Sequence, residues 1–528
     1  MGFVTLLVGA ASLVGRSAVR RGGGPPIRAC ATPAAPKPSV LGPATLSAYL
    51  AGPTSEQPSA LVCVGNDAGD IDSLVSAIGL AALMRRREPT VLHTPCAPFP
   101  RCDFRLRQDA CMLFAHCEEM DFDEAGAPAE LVHLDDLVAA SAAWADEGTG
   151  LALALTDHNV CLPGVASALN GAPVVAIVDH HNDEQKHLET ATTRLIDPAV
   201  GSTCSMIVEM IEAEGDDASA DELLGGSLGM LLLGGMAVDT RGFDPALLGT
   251  KFSTRDVAAA QTLLAALGGA PLAASLPDQP PAEVAAALRA APLPPQARVA
   301  GAATPQELCA ALLKARYSVD GLGPAELLRL DYKEAVAGSA TVGMASICVT
   351  RAELLARSVD DGEGGEGSSG GSGGGGSGGS DGGGGAGLER AMAEAAARRG
   401  VDILFALTAE DEATDGGLKS LIAYTAPAQF GSNGEFGRRR LRTPFGDAVL
   451  ASMADMPLAL PARLAEQPLF AAQAIPEEGF GLTWRRVPGG ASTQLRMSTL
   501  RAAATRKTLM PAIIHFCEVH LGAVAGAD

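Results

Sequence analysis

The sequence predicts an α/β protein of two domains: an N-terminal parallel-sheet domain followed by a smaller α/β domain. Three observations carry that prediction. Apolar strand-like runs alternate with helical stretches from residue 60 onward, the rhythm of a parallel sheet with crossover helices. The 528 residues exceed one core, at about 100 to 200 residues per domain. A Pro- and Ala-rich stretch at 269–300 and a Gly/Ser-rich stretch at Asp360–Gly387 break up the second half.

Residues 1–55 carry Arg16, Arg20, Arg21, Arg28 and Lys37 but no acid, the first being Glu56. That is the composition of a targeting peptide. Ile27–Ala31 looks like a plastid processing site, so the leader is expected to address a plastid or mitochondrion; the alternative is a disordered tail on a cytoplasmic protein. The first domain, 56–268, opens with a buried strand at Ala60–Gly65 and a helix at Ser73–Arg87 with Leu74, Val75, Ile78 and Ala82 on one stripe. Strands follow at Leu131–Leu134, Leu151–Leu155 and Val174–Val178, with helical stretches at 136–147 and 202–213. Leu223–Val238, apolar throughout, reads as a buried helix, and Thr254–Leu267 as an amphipathic one. Seven prolines among alanines make 269–300 an interdomain linker. The second domain, 301–520, holds helices at 305–316 and 324–331 and strands at Thr341–Val349 and Ile403–Thr408. Its Gly-rich insert at 360–387 cannot recover its ordering entropy by burying apolar surface, so a mobile surface loop is expected there.

Composition excludes several functions. With 39 Lys and Arg against 61 Asp and Glu, the net charge is −22, the wrong sign for holding a nucleic-acid backbone. The 11 cysteines form no Cys-x-x-Cys pair or other zinc spacing, and read as reduced thiols in a reducing compartment. No apolar run reaches the roughly 18 to 20 residues of a membrane span.

The chemistry gathers in four acid-bearing segments, each after an apolar strand or helix: Asn66–Asp72 (NDAGDID), Asp157–Asn159 (DHN), Asp179–His181 (DHH) and Asp239–Thr240 (DT). A parallel sheet brings such segments to its carboxyl edge, where open α/β folds bind ligands. Taken singly, an Asp after a strand is ordinarily a helix N-cap and a His pair ordinarily a surface or core pair. Their joint recurrence at element ends points to a metal site. Oxygen donors dominate, imidazole comes second and no thiolate is near, which suits Mg²⁺ or Mn²⁺.

These motifs resemble the DHH phosphoesterase superfamily, and within it the exopolyphosphatase/prune branch. Further matches are FRLRQD at 104–109, DEQKHLE at 183–189, GSTCS at 201–205, LLLGGMAVDT at 231–240, KARYSVDGLGPAELLRLDYKEA at 314–335 and VGMASI at 342–347. The last two resemble the DHH-associated second domain that manganese-dependent family II inorganic pyrophosphatases share. The resemblance implies two divalent cations: one held by Asn66, Asp70, Asp157 and Asp239, the other by Asp72, Asp157, His180 and Asp239. It makes Asp157 and Asp239 shared ligands and puts His181 beside the substrate as an acid or phosphate ligand. It also implies that the second domain closes over the first to form a cleft. Thr505-Arg506-Lys507 is similar to the family's Ser-Arg-Lys phosphate-binding element, and Lys314, His187 and Arg194 are further candidates. The superfamily's pyrophosphatases carry His where Asn66 stands, so the resemblance favours polyphosphate over pyrophosphate.

The expected activity is therefore that of a metal-dependent phosphoanhydride hydrolase, an exopolyphosphatase. The alternatives are a manganese-dependent pyrophosphatase, a cyclic-nucleotide or oligonucleotide phosphodiesterase, and a scaffold that kept the fold and lost turnover.

Overall fold

The computed structural model describes residue 41 and residues 45–54, 59–144, 150–215, 217–270, 280–337, 340–360, 384–409, 418–425, 485–486, 495–501, 509–510 and 513–514. The chain divides into two compact units, Met1–Ser318 and Val319–Asp528.

In the first unit the order is α1 (Thr45–Ala51), β1 (Ser59–Val64), α2 (Ile71–Arg87), β2 (Leu92–Ala97), α3 (Gln108–Phe114), β3 (Val132–His133), α4 (Leu134–Ala140), β4 (Gly150–Thr156), α5 (Pro163–Ala168), β5 (Val174–Asp179) and β6 (Thr193–Ile196), then the helices α6 (Thr203–Glu212), α7 (Asp217–Leu224), α8 (Ser227–Asp239), α9 (Thr254–Ala266), α10 (Pro281–Arg289) and α11 (Pro305–Arg316). The six strands pair in parallel in the order β3-β2-β1-β4-β5-β6. Their side chains alternate between two cores. Leu61 and Cys63 of β1 and Ala152 and Ala154 of β4 pack with α2, α6, α8 and α9 on one face. Ala60, Val62, Val64, Leu153 and Leu155 pack with α1, α4 and α5 on the other. Both faces are covered, so the strands read as continuous apolar runs.

Two sequence expectations are corrected here. Residues 45–54 are not a disordered leader: Tyr49 of α1 is buried and stacks on Trp144 with ring centroids 5.7 Å apart, and Trp144 Nε1 donates to the Tyr49 carbonyl at 2.8 Å. Residues 1–40, where the targeting composition is concentrated, lie outside the described residues. Nor do residues 280–300 form a linker. Pro281 starts α10, where the missing N–H costs nothing, and Ala285, Leu288, Leu293, Ala297 and Val299 join the first unit's core. The unit boundary falls between Ser318 and Val319, so α11 belongs to the first unit.

The second unit contains α12 (Pro324–Leu330), β7 (Tyr332–Ala337), β8 (Ala340–Ser346), α13 (Arg351–Asp360), α14 (Gly384–Arg399), β9 (Ile403–Leu407), β10 (Leu418–Thr425), β11 (Arg485–Arg486) and β12 (Leu495–Arg501). The sheet runs β11-β12-β10-β9-β8-β7 and is antiparallel except between β8 and β9. Leu327, Leu354, Leu388 and Met392 from the helices pack on Ala345, Leu404, Ile422 and Met497 from the strands. Most of the Gly-rich stretch lies outside the described residues, but its last four positions do not. Gly384–Gly387 form the first turn of α14. A Cβ on Gly387 would overlap the Ser358 carbonyl oxygen of α13, and one on Gly384 would overlap that of Leu355. These glycines let two helices approach closely. Gly387→Ala is accordingly expected to lower stability by about 1–3 kcal/mol, measured by denaturant unfolding, whereas replacing 361–383 by a short flexible linker is expected to leave this contact and turnover unchanged. Unchanged stability in Gly387→Ala would show that α13 and α14 can separate without loss.

Candidate metal centre

The strand order reverses between β1 and β4: the chain leaves β1 toward β2 and β3, then returns to the other side of β1. Such a switch point leaves a crevice at the carboxyl ends of the two strands. Asn66 follows β1 and Asp157 follows β4, so the topology puts them side by side. Asn66 Nδ2 donates to Asp157 Oδ2 at 2.6 Å, and Asn66 Oδ1 accepts from the Gly69 N–H at 3.0 Å.

The loop from Asn66 feeds α2, and Asp70 is its N-cap, accepting from the Ser73 N–H at 3.0 Å. Asp70 therefore does what a lone post-strand Asp ordinarily does, while standing beside the other acids. Asp72, in the first turn of α2, is 2% exposed. Its carboxylate accepts from Ser202 Oγ at 2.5 Å, the Thr203 N–H at 2.8 Å and the Cys204 N–H at 3.0 Å. Those donors are the N-terminus of α6, which favours a negative charge.

Asp157 adopts φ +63°, the left-handed region that Asp tolerates better than most residues, while its N–H donates to the Val178 carbonyl at 3.0 Å. The turn directs the carboxylate at the two histidines after β5. Oδ1 lies 3.2 Å from His180 Nε2 and 3.6 Å from His181 Nδ1. His180 Nδ1 meets the Val200 carbonyl at 3.2 Å, which makes Nδ1 the donor and turns Nε2 toward the acids. His181 is held otherwise: its N–H and Nδ1 both reach Asp179 Oδ1, at 3.1 and 2.9 Å. Asp179 is fully buried, and its Oδ2 accepts from Asn159 Nδ2 at 2.6 Å.

Asp239 ends α8, where the helix dipole disfavours a carboxylate, and its Oδ2 is 4.0 Å from His180 Nε2. Ligand atoms of Asp157, His180 and His181 lie within 4.8 Å of one another, as do those of Asp72, His180 and Asp239. The second trio falls within the ligand set expected for one cation. Of the other expected set, Asn66 is occupied with Asp157 and Gly69.

The electrostatics call for a cation. Burial, then the charges of Asp72 and Asp70, push Asp157 well above the usual carboxylate range and Asp239 up to about 7. Burial would lower His180, but the hydrogen bond and charge of Asp157, with Asp72 and Asp239, raise it to about 10. Burial would also raise Asp179, but the hydrogen bond and charge of His181 hold it down at about 2. Crowded carboxylates with a neutral-capable imidazole are a donor set that fits Mg²⁺ or Mn²⁺.

The other candidates are placed differently. His187 Nε2 accepts from the Cys161 N–H at 3.1 Å, and burial lowers its pKa, so this ring braces the loop after β4. Arg194 pairs with Asp183 at 2.6 Å. Lys314 is exposed on α11. Arg506 and Lys507 lie outside the described residues. Residues whose motifs are quoted above without a role do the holding: Asn159, the 202–204 turn, and Arg107. Arg107 donates to the Ala68 and Gly69 carbonyls at 2.9–3.1 Å and stacks 3.6 Å over the Phe99 ring, fixing the loop that bears Asp70.

Residues 60–235 match the family model described as DHH family, N-terminal domain, and residues 310–516 that of the DHHA2 domain. A protein of Schizosaccharomyces pombe named "Putative exopolyphosphatase" is 28% identical over 195 residues, 36% of this chain and 47% of that protein, so the chain spans about half the length of the curated relative it matches. Among solved structures, that of a "Methanococcus jannaschii putative family II inorganic pyrophosphatase" is similar at 17% identity and TM-score 0.41, covering 87% of this chain and 99% of that one. An exopolyphosphatase-related protein from Bacteroides fragilis is similar at 10% identity and TM-score 0.28, covering 90% and 97%.

Proposed function

Because the chain carries the DHH family's N-terminal domain followed by a DHHA2 domain, we propose that it is a divalent-metal-dependent phosphoanhydride hydrolase that removes terminal phosphate from inorganic polyphosphate. The observation that supports this reading most is the crowding of Asp72, Asp157, Asp239 and His180 at the switch point of the parallel sheet. These residues, with Asn66 and Asp70 beside them, would hold divalent cations, which would supply charge neutralisation at phosphorus and a water of lowered pKa.

The chain's own residues set the rest. Asp179 stays ionised and fixes His181 through Nδ1, so Nε2 faces away from Asp179. That nitrogen is the proposed donor of a proton to the leaving phosphate. Arg506, Lys507 and Lys314 are the proposed grip on phosphates beyond the scissile bond, where charge-assisted hydrogen bonds are strong. A few such cations with the metals can dominate the local field of a protein whose net charge is −22. The name of the S. pombe relative favours polyphosphate as substrate.

Phosphate release from pyrophosphate, tripolyphosphate and long polyphosphate, each with Mg²⁺, Mn²⁺ or EDTA, tests the reading. The expected result is metal-dependent release that is faster from tripolyphosphate and longer chains than from pyrophosphate. Faster release from pyrophosphate would reassign the activity to a pyrophosphatase. Turnover only of cyclic or oligonucleotide phosphodiesters would make it a phosphodiesterase, and no metal-stimulated release from any of these would leave a scaffold.

A further inference from the structure

Within the first unit, one cation beside the metal centre has no role in the scheme above. Arg316 lies in the last turn of α11, a helix packed against both α3 and α8. Its Nε donates to Oδ2 of buried Asp109 at 2.5 Å. Asp109 stands on α3, two residues after the Arg107 that holds the Asp70 loop, and α8 ends in Asp239. Arg316 is thereby fixed near both carboxylates, and the charges of Asp70 and Asp239 act on it alongside that of Asp109.

The second observation concerns the other end of the guanidinium. Arg316 Nη2 is buried and has no hydrogen-bond partner among the described residues. Buried donors in folded proteins are almost always satisfied, and a charged one most of all. A ligand of the metal centre that brings anionic oxygens would supply the acceptor that Nη2 lacks. A phosphoryl group meets that requirement, and the guanidinium fork matches it.

We propose that Arg316 is a phosphate-binding residue of the first unit, its Nη2 donating to an oxygen of a phosphate bound at the metal centre while Asp109 holds Nε. The assignment rests on the reading of that centre as a phosphate-processing metal site. It adds to the cations expected in the second domain a residue that grips the phosphate from the same unit as the metals.

The probe is inorganic phosphate, titrated calorimetrically into the Mn²⁺-loaded full chain. Arg316→Gln is expected to raise the Kd for phosphate tenfold or more while bound Mn²⁺ per chain stays at the parent value, a pattern that lost packing alone would not give. Arg316→Lys keeps a cation for Asp109 but loses the fork, and is expected to weaken phosphate binding threefold or more. It carries the test if Arg316→Gln does not fold. A folded, Mn²⁺-loaded variant that binds phosphate within twofold of the parent overturns the proposal, as does a parent chain that binds no phosphate. Because the readout is binding, the role of Arg316 and the hydrolytic activity fail separately: a chain that binds phosphate through Arg316 yet cleaves no phosphoanhydride would reject the proposed activity alone.

Discussion

Asp157→Asn is expected to lower turnover about a hundred- to a thousandfold, the scale of losing one preorganised charge at a reacting centre, while leaving the fold intact. The amide can be accommodated. Its oxygen can take the place of Oδ2 and accept from Asn66 Nδ2, and its NH₂ can take the place of Oδ1 and donate to His180 Nε2, whose Nδ1 already faces the Val200 carbonyl. What disappears is the carboxylate of one candidate ligand cluster, 3.2 Å from the His180 that both clusters share. Metal content should fall with activity. The metal-free variant should melt at or above the parent, because the substitution removes a charge from among Asp72, Asp70 and Asp239. The pH dependence of the metal-free parent follows from the same crowding. Asp239 has a folded-state pKa raised to about 7 against about 4 when unfolded. Its contribution to stability is full below about 4 and is lost as pH rises through 7. His180, raised to about 10, likewise stabilises below its unfolded value and loses that contribution as pH climbs through 10. In EDTA the melting temperature should fall as pH rises from 5 to 8, and Mn²⁺ should remove much of that slope. Near-normal turnover with normal metal content in Asp157→Asn would take Asp157 out of the ligand set, and a flat EDTA profile would show that the carboxylates do not repel one another.

The parallel sheet is legible in the sequence because its strands are buried on both faces, so β1, β4 and β5 appear as plain apolar runs. β2 escapes such a reading because its six residues, Leu92–Ala97, include a histidine, a threonine and a proline that break up the apolar run. The four acid segments are legible as ends of elements. Their holders are not, because a holder is defined by a partner far away in sequence: Asn159 acts on Asp179, and Ser202–Cys204 act on Asp72 across 130 residues or more. GSTCS at 201–205 carries a signal that can be read, a Ser N-cap opening a helix whose free N–H groups seek an anion. The false boundary at 269–300 has a specific cause. Prolines there look like breakers, whereas Pro281 and Pro295 begin helical turns, and the apolar residues between them are enough to join a core.

Asp179→Asn tests the arm of the site that holds no cation in any expected ligand set, and it is expected to lower kcat about a hundredfold, at the upper end of what outer-shell partners contribute. Asp179 Oδ1 accepts two hydrogen bonds from His181, from its backbone N–H and from Nδ1, and Oδ2 accepts one from Asn159. An amide has one oxygen. If that oxygen serves His181, the NH₂ confronts Asn159 Nδ2, which also donates to the Asn182 carbonyl while Asn159 Oδ1 accepts from the Glu184 N–H. Asn159 is thus held at both ends and cannot turn over without losing other bonds. If instead the NH₂ faces His181, the backbone N–H there has no acceptor and Nδ1 must change tautomer, moving the proton of the ring to Nε2. Either way a buried donor is left unmatched, at a cost of about 1–3 kcal/mol, and His181 is no longer held as an oriented acid. The stability loss has a pH signature of its own. Asp179 has a folded pKa held down at about 2, so its contribution is full above about 4 and vanishes as pH falls through 2. Parent and variant should therefore differ in melting temperature at pH 7 and converge toward pH 2. With tripolyphosphate as substrate, KM and bound metal should stay near the parent values while kcat falls. A variant that lost metal along with activity would place Asp179 among the ligands, and one with parent kcat would remove His181 from proton transfer.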